Sequence, residues 1–308
     1  MSTKSPPALL ILALSVLIVS SAAILIRLAQ QDGVASVAIA AWRLGLAAVI
    51  LSGVVLLRPA ARAEVVSLDK RTIGLAIAAG VFLAAHFASW IASLSYTSVA
   101  SSTALVTTNP VWIALFSWAV FGERPSRGLA TGIAFAIAGS ACIFLSDWSV
   151  VSSAPGADPL LGNVLAVVGS LTVCGYLLLG RKLRQSMNLL TYVWLVYLSA
   201  GVTLLIGALA AGAPLVGFSA GTWLCLVGLA VGPQLLGHSG INWALKHLSA
   251  TVIAIAILGE PIGSALLAWW LFNEGFAPLQ LAGFVLLLVG IYLASRPARS
   301  EAPARTRI

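Results

Sequence analysis

The feature that most constrains this chain is a run of about 20 apolar residues that recurs along its whole length. Ten such runs lie at roughly 8–29, 36–58, 72–94, 98–120, 127–146, 160–181, 189–211, 219–242, 250–272 and 277–295. A helix of about 20 residues matches the hydrocarbon core of a bilayer, where every backbone N–H and C=O must be bonded within the protein. Only 8% of the 308 residues are charged, against about 25% in an average soluble domain. The sequence therefore predicts an all-α integral membrane protein with ten transmembrane helices. The connections are short. The longest, 59–71 and 147–159, leave no room for a catalytic domain. The first run follows a single Lys, is longer than a signal-peptide core and lacks a clean cleavage site, so it reads as an uncleaved first helix.

The net charge of +8 does not point to nucleic acid, because the basic residues are spread thinly and form no stripe. Their placement carries a different message. If ten spans alternate, one side holds Lys4, Arg58, Arg62, Lys70, Arg71, Arg124, Arg127, Arg181, Lys182, Arg184, Lys246, Arg296, Arg299, Arg305 and Arg307. The opposite loops hold none. By the positive-inside rule both termini are cytoplasmic, and 297–308 reads as a basic, disordered tail. The two remaining cations, Arg27 and Arg43, read as reaching towards the outer surface and pairing with Asp32. Arg43 is also the only cation deep enough to meet a substrate. Cys142, Cys174 and Cys225 lie singly in apolar segments and make neither a metal spacing nor a disulfide framework, so no metal is expected.

A shift of 151 residues carries 109-NPVWIALFSWAVFGE-123 onto 260-EPIGSALLAWWLFNE-274. Pro110 meets Pro261, Trp118 meets Trp269 and Glu123 meets Glu274. In the same register Gly132 meets Gly283 and Gly139 meets Gly290. The chain thus divides into a first repeat, 1–147, and a second, 158–296. Five helices per repeat is an odd number, so the second repeat is inverted in the membrane. Inverted repeats with interrupted helices in matching positions characterise secondary transporters that bind substrate near the midplane. Pro110 and Pro261 are the matching interruptions and the predicted hinges.

Two five-helix halves resemble the EamA domain of the drug/metabolite transporter superfamily. Each has a proline-containing fourth helix closed by "W..FGE" or "W..FNE" and then a glycine-containing fifth helix. The resemblance covers nearly the whole chain. Within that superfamily the chain is most similar to bacterial amino-acid exporters, including those for aromatic amino acids. This implies a multi-pass protein of the bacterial inner membrane, and a central cavity lined by helices 1, 3, 4, 6, 8 and 9.

The polar and aromatic residues inside the spans are the candidates for substrate contact. Glu260 has two readings: a cavity carboxylate that binds an ammonium group or a coupling proton, or a structural acceptor where Pro261 starts a helical turn. Its repeat partner Asn109, also before a proline and also a capping type, favours the structural reading. His86 and Trp90 share a face of helix 3 at i, i+4, and a His inside a span usually faces protein or water. Gln234, His238 and Asn242 form a polar stripe on helix 8 at i, i+4, i+8. Trp112, Tyr176 and Ser21 lie well within their spans as further candidates, although small hydroxyls in membrane helices more often serve packing. Glu123 and Glu274 read as caps of the following helix or as hairpin contacts.

Several function classes fall away. No Gly-Lys dipeptide occurs, so there is no phosphate-binding loop of a nucleotide-driven pump. A sugar-phosphate carrier needs several cavity cations. An enzyme needs a nucleophile beside His86, His238 or Glu260, and none is evident. What remains is a secondary transporter that exports small metabolites, chiefly amino acids including aromatic ones, by alternating access. It needs no cofactor, and one chain suffices because it already carries both halves. The alternative is proton-coupled efflux of lipophilic cations trapped by Glu260.

Overall fold

A computed structural model describes residues 6–121, 127–149, 158–244, 247–248, 256–257 and 259–295. The described residues are helical and connected by short turns. The chain runs through α1 (Pro6–Ser20), α2 (Ala22–Gln31), α3 (Ser36–Leu57), α4 (Pro59–Ser67), α5 (Lys70–Ser93), α6 (Val99–Val106) and α7 (Asn109–Phe121). It continues through α8 (Arg127–Ser149), α9 (Pro159–Leu183), α10 (Leu189–Ala210) and α11 (Ala220–Leu229). A π-helical stretch (Ala230–His238) then leads into α12 (Ser239–Ala244), and α13 (Gly259–Phe272) and α14 (Pro278–Ser295) close the fold. Among the described residues seven helices are long and apolar enough to cross a membrane. The predicted crossings at 98–120, 250–272 and 277–295 are occupied by shorter described helices. The tail 297–308 and Glu123 lie outside the described residues.

Local chemistry sets the helix starts. The Asp69 carboxylate accepts from the Thr72 amide at 2.6 Å, Ser98 from Ser101 at 3.0 Å, and Asp158 from Leu161 at 3.0 Å just before Pro159. Each satisfies a first-turn N–H that has no partner within its own helix. Two expectations need correction. The run 98–120 is not one helix: the chain turns at Thr107 and Thr108, and α7 starts afresh at Asn109 with Pro110 in its first turn. There proline's missing N–H costs nothing. The connection 59–71 is not a plain loop, because Pro59 opens the short helix α4.

Equivalent helices of the two repeats pack directly on one another, and they run antiparallel. Trp194 donates to Ser52 at 2.8 Å, while a Cβ on Gly201 would lie 3.1 Å from the Gly45 nitrogen, so residue numbers rise along α10 as they fall along α3. The crossing of α8 and α14 is tighter. A Cβ on Gly139 would lie 2.6 Å from the Gly283 carbonyl oxygen, and one on Gly290 would lie 2.7 Å from the Gly132 oxygen. The shift of 151 residues converts one contact into the other, so this crossing has a two-fold relation at the level of single glycines. The remaining pairings follow the same symmetry. The contact of α5 with α9 is matched by that of the π-helical stretch and α12 with α1. The contact of α6 with α9 is matched by that of α13 with α1.

The two ends of the bundle differ. At one end a buried polar network ties five segments together. Asp147 accepts from Asn163 at 2.6 Å and from Gln280 at 3.2 Å; Gln280 also donates to Ser101 at 2.8 Å, and Thr97 to Asn163 at 3.0 Å. Beside it Arg27 donates to the Thr97 carbonyl at 2.7 Å and lies 3.4 Å from Glu274. Arg27 thus pairs with Glu274, not with Asp32, whose carboxylate accepts from Thr222 at 2.7 Å. Glu274 in turn accepts from the Val99 amide at 2.9 Å. It caps α6 of the other repeat, not the helix that follows it. At the opposite end Glu64 of α4 accepts from the Asn188 amide at 2.8 Å and from the Thr191 hydroxyl, closing the start of α10.

Two outcomes follow from this packing. Gly290→Val forces backbone apart at the α8–α14 crossing and should cost about 1–3 kcal/mol, read as a lower unfolding temperature in detergent. Gly128→Ala, where nothing approaches the added methyl, should change little. Partial desolvation raises the Glu64 carboxyl, but its bonds to Asn188 and Thr191 outweigh that and hold its pKa below the ordinary glutamate range. Its contribution is therefore full above about pH 4.3 and is lost as pH falls through the lowered value. The stability gap between the native chain and Glu64→Gln should be constant near neutrality and shrink in acid; a gap that widens in acid would refute this.

Candidate functional site

A cavity of about 260 Å³ lies between the repeats. Helix α5 contributes Leu83, His86, Phe87 and Trp90 to its wall. The turn into α7 contributes Thr107 and Asn109, α9 contributes Tyr176, and α10 contributes Tyr197. From the second repeat come Gln234 and His238 of the π-helical stretch, Ile241 and Asn242 of α12, and Glu260 at the start of α13. Asn109 and Glu260, matched by the sequence repeat, thus face one cavity, each in the first turn of a helix. The positive end of α13 favours a carboxylate at Glu260, so its placement suits both a helix start and a ligand.

The wall mixes aliphatic, polar and ring-bearing side chains, and the rings cluster on α5. His86 stacks on Trp90 with ring centres 6.1 Å apart and planes 13° from parallel, and its ring centre lies 4.8 Å from that of Phe87. His86 Nδ1 lies 2.8 Å from the Gly169 carbonyl. A carbonyl only accepts, so Nδ1 carries the proton and Nε2 is the nitrogen left for other partners. Gly169 permits this approach: a Cβ there would meet Ser89, Trp90 and the His86 carbonyl at 3.3–3.4 Å. His238 meets the edge of Phe87 at 6.4 Å.

The sequence candidates separate in space. His86, Trp90, Asn109, Tyr176, Gln234, His238, Asn242 and Glu260 share the cavity. Trp112 and Ser21 do not line it. The Trp112 indole donates to Thr108 at 3.0 Å, and Thr108 bonds Ser170 at 2.9 Å, which joins α7 to α9. Ser21 closes on the Ile18 carbonyl at 2.7 Å at the junction of α1 and α2. The turn at Ser20 packs on α13, where Ser264 donates to the Ser20 carbonyl at 2.9 Å. Helix 1, expected in the wall, therefore buttresses the segment after Pro261 instead. Pro110 and Pro261 stand at helix starts behind the wall. Gln234 and His238 belong to a π-helical stretch, so their spacing is not that of an α-helical stripe. Pro233 sits inside that stretch, and the wider turn accommodates a ring that would clash within an α-helix.

Two residues absent from the sequence candidates belong to this region. Tyr197, on α10, lines the cavity and meets the Gln234 side chain. Arg43 is completely buried and does not reach the outer surface. Its Nε donates to Gln234 at 2.8 Å, and its guanidinium carbon lies 4.2 Å from the centre of the Phe87 ring and 5.8 Å from that of Trp90. It interacts electrostatically with Glu260. Arg43 was legible as a deep cation; its partners across the fold were not.

Tyr176 and Asn242 also line a second, larger cavity of about 950 Å³, together with Arg181, Arg184, Tyr192 and His247. The two side chains meet, and the Tyr176 and Tyr192 rings stack 6.4 Å apart. They form the partition between the inner cavity and a vestibule at the Arg184 end of α9. The other end of α9, at Asn163, lies in the polar network around Asp147.

No curated protein matches the chain. A solved structure described as "Crystal structure of protein" is similar over 95% of this chain and 98% of its own, with a TM-score of 0.63 at 20% identity, a likeness of fold. The model of the EamA-like transporter family matches residues 6–145 and again residues 160–296, two copies that meet at the cavity. The chain is a multi-pass membrane protein that belongs to the EamA-like transporter family.

Proposed function

We propose that this transporter has ten membrane-spanning helices with both termini in the cytoplasm of a bacterium, and that it exports amino acids, including aromatic ones, across the inner membrane. The observation that carries the reading is the inter-repeat cavity itself. At about 260 Å³ it falls just below the range of about 300–1,000 Å³ that holds drug-sized ligands. Its aromatic rings suit an aromatic side chain, and its amide, imidazole and carboxylate groups suit a small polar backbone. The basic residues put the Arg181 and Arg184 vestibule on the cytoplasmic side. On this reading the vestibule is the inward opening, and the Asp147 network closes the outer side. Transport exchanges these ends as the repeats rock about the breaks at Pro110 and Pro261. One chain is sufficient.

A second reading, proton-coupled efflux of lipophilic cations, draws on Glu260 as a carboxylate in an aromatic cavity. The buried Arg43 guanidinium weighs against it, because it opposes any cation nearby.

Counterflow in liposomes separates the two. Labelled phenylalanine should enter vesicles loaded with unlabelled amino acid, and Trp90→Ala should slow it about tenfold while affecting threonine less. Transport of a lipophilic cation without amino-acid counterflow would move the assignment to drug efflux.

Access to the cavity is tested in a variant whose three native cysteines are replaced by alanine. Asn242→Cys should react with an impermeant thiol reagent applied from the vestibule side, and substrate should slow the reaction. Trp112→Cys should show no substrate protection.

A further inference from the structure

We propose that Arg43, with the indole N–H of Trp90, is the receptor for a carboxylate group on the transported molecule. The claim rests on the amino-acid reading of the cavity and names the half of the substrate that the sequence candidates leave without a partner. Those candidates offer Glu260 for an ammonium group and rings for a side chain; Arg43, read from the sequence only as a cation deep enough to meet a substrate, was given no substrate group there.

Arg43 lies on the face of α3 that also buries Ile39, Ala40, Leu44 and Ala47, so it points into protein and not into lipid. Its Nε is fixed by Gln234. Its other two nitrogens, Nη1 and Nη2, are buried without a hydrogen-bond partner among the described residues, and so is Trp90 Nε1. A buried guanidinium with two idle donor nitrogens is costly, and a bidentate carboxylate is the ligand its planar fork fits best. The guanidinium is packed against cavity-wall side chains: Gln234 holds it at 2.8 Å, and Phe87 and Trp90 lie beside it. Arg43 itself does not line the cavity, so on this proposal the Phe87 or Trp90 ring moves aside to admit the carboxylate. Glu260, which interacts with the same cation, cannot lend it permanent neutrality and also serve an ammonium group. A zwitterion satisfies both at once: its carboxylate goes to Arg43 and Trp90, and its ammonium to Glu260. This predicts a preference for free α-amino acids over amines, amides or simple cations of the same size.

The test compares phenylalanine with phenylalaninamide, which keeps the ring and ammonium but lacks the carboxylate. Native protein, Arg43→Gln, Arg43→Lys and Trp90→Phe are reconstituted, each first checked for a single gel-filtration peak and its unfolding temperature. Arg43→Gln should raise the phenylalanine KM by about 10- to 100-fold and leave that of phenylalaninamide unchanged or lower. Arg43→Lys should recover part of the loss, and Trp90→Phe should give a smaller loss confined to phenylalanine. Equal losses for both compounds in folded Arg43→Gln would show a purely structural arginine and overturn the proposal. If Arg43→Gln does not fold, Arg43→Lys and Trp90→Phe decide by the same comparison. If native protein carries no amino acid, binding of 3-phenylpropanoate, followed by tryptophan fluorescence, becomes the readout. Binding weakened by Trp90→Phe and by Arg43→Lys would retain the carboxylate site and discard amino-acid export. No binding by native protein would discard both.

Discussion

Close backbone approach between equivalent helices is the contact on which the rest of this structure depends. In lipid, apolar side chains gain nothing by leaving the solvent, so helices associate through tight packing and buried hydrogen bonds. At the crossing of α8 and α14 the two helices meet carbonyl against Cα hydrogen, at Gly139 on Gly283 and Gly290 on Gly132. Because each contact is the image of the other, this crossing fixes the antiparallel relation of the repeats. That relation brings Asn109 and Glu260 to one cavity from opposite repeats. It also lets Glu274 of the second repeat cap α6 of the first.

Much of this was legible in the sequence, and for an identifiable reason. Proline, glycine and glutamate matched in one register are rare enough in an apolar chain to mark a repeat. They are also the residues whose roles are set by local backbone needs: a helix start, a close approach, a cap. His86, Trp90 and Asn242 were legible for a similar reason, since a polar or aromatic group deep in a span needs protein or water around it. Arg43 was harder. It stands seven residues into α3, about 10 Å from the helix start, so a long side chain could extend most of the way towards the surface. Only the burial of its helix face shows that it turns inward. The same limit explains Arg27, whose nearest acid in sequence is Asp32 but whose partner in space is Glu274. Ser21 and Trp112 do not line this cavity, because depth in a span does not distinguish a wall residue from a helix–helix contact.

The two ends of the bundle are built from different materials. One end is locked by amides, hydroxyls and carboxylates that are largely satisfied by one another: Asp147 with Asn163 and Gln280, Arg27 with Thr97 and Glu274. The other end is a wide vestibule, and among the described residues Tyr176, Leu177 and Asn242 stand between it and the inner cavity. A network of short polar bonds is strong when complete and weak when one member is displaced, because each broken bond strands a buried group. Such a network closes all at once or not at all. Stacked tyrosines, by contrast, lose little when they slide. The polar end is therefore suited to a two-state lock and the aromatic end to a softer partition.

The pairing of Glu260 with Pro261 can now be placed. Proline at a helix start gives up a hydrogen bond the helix would not have made, and the acid beside it meets the positive end of the helix. Both roles are structural, and Asn109 with Pro110 performs them in the other repeat without a charge. What Glu260 adds beyond Asn109 is an ionisable carboxyl group, in a cavity wall behind which Arg43 is buried against Phe87 and Trp90. A lone carboxylate there would call for a cation, and a lone guanidinium for an anion. With Glu260 in the cavity wall and Arg43 packed behind Phe87 and Trp90, the proposed zwitterionic substrate would answer both.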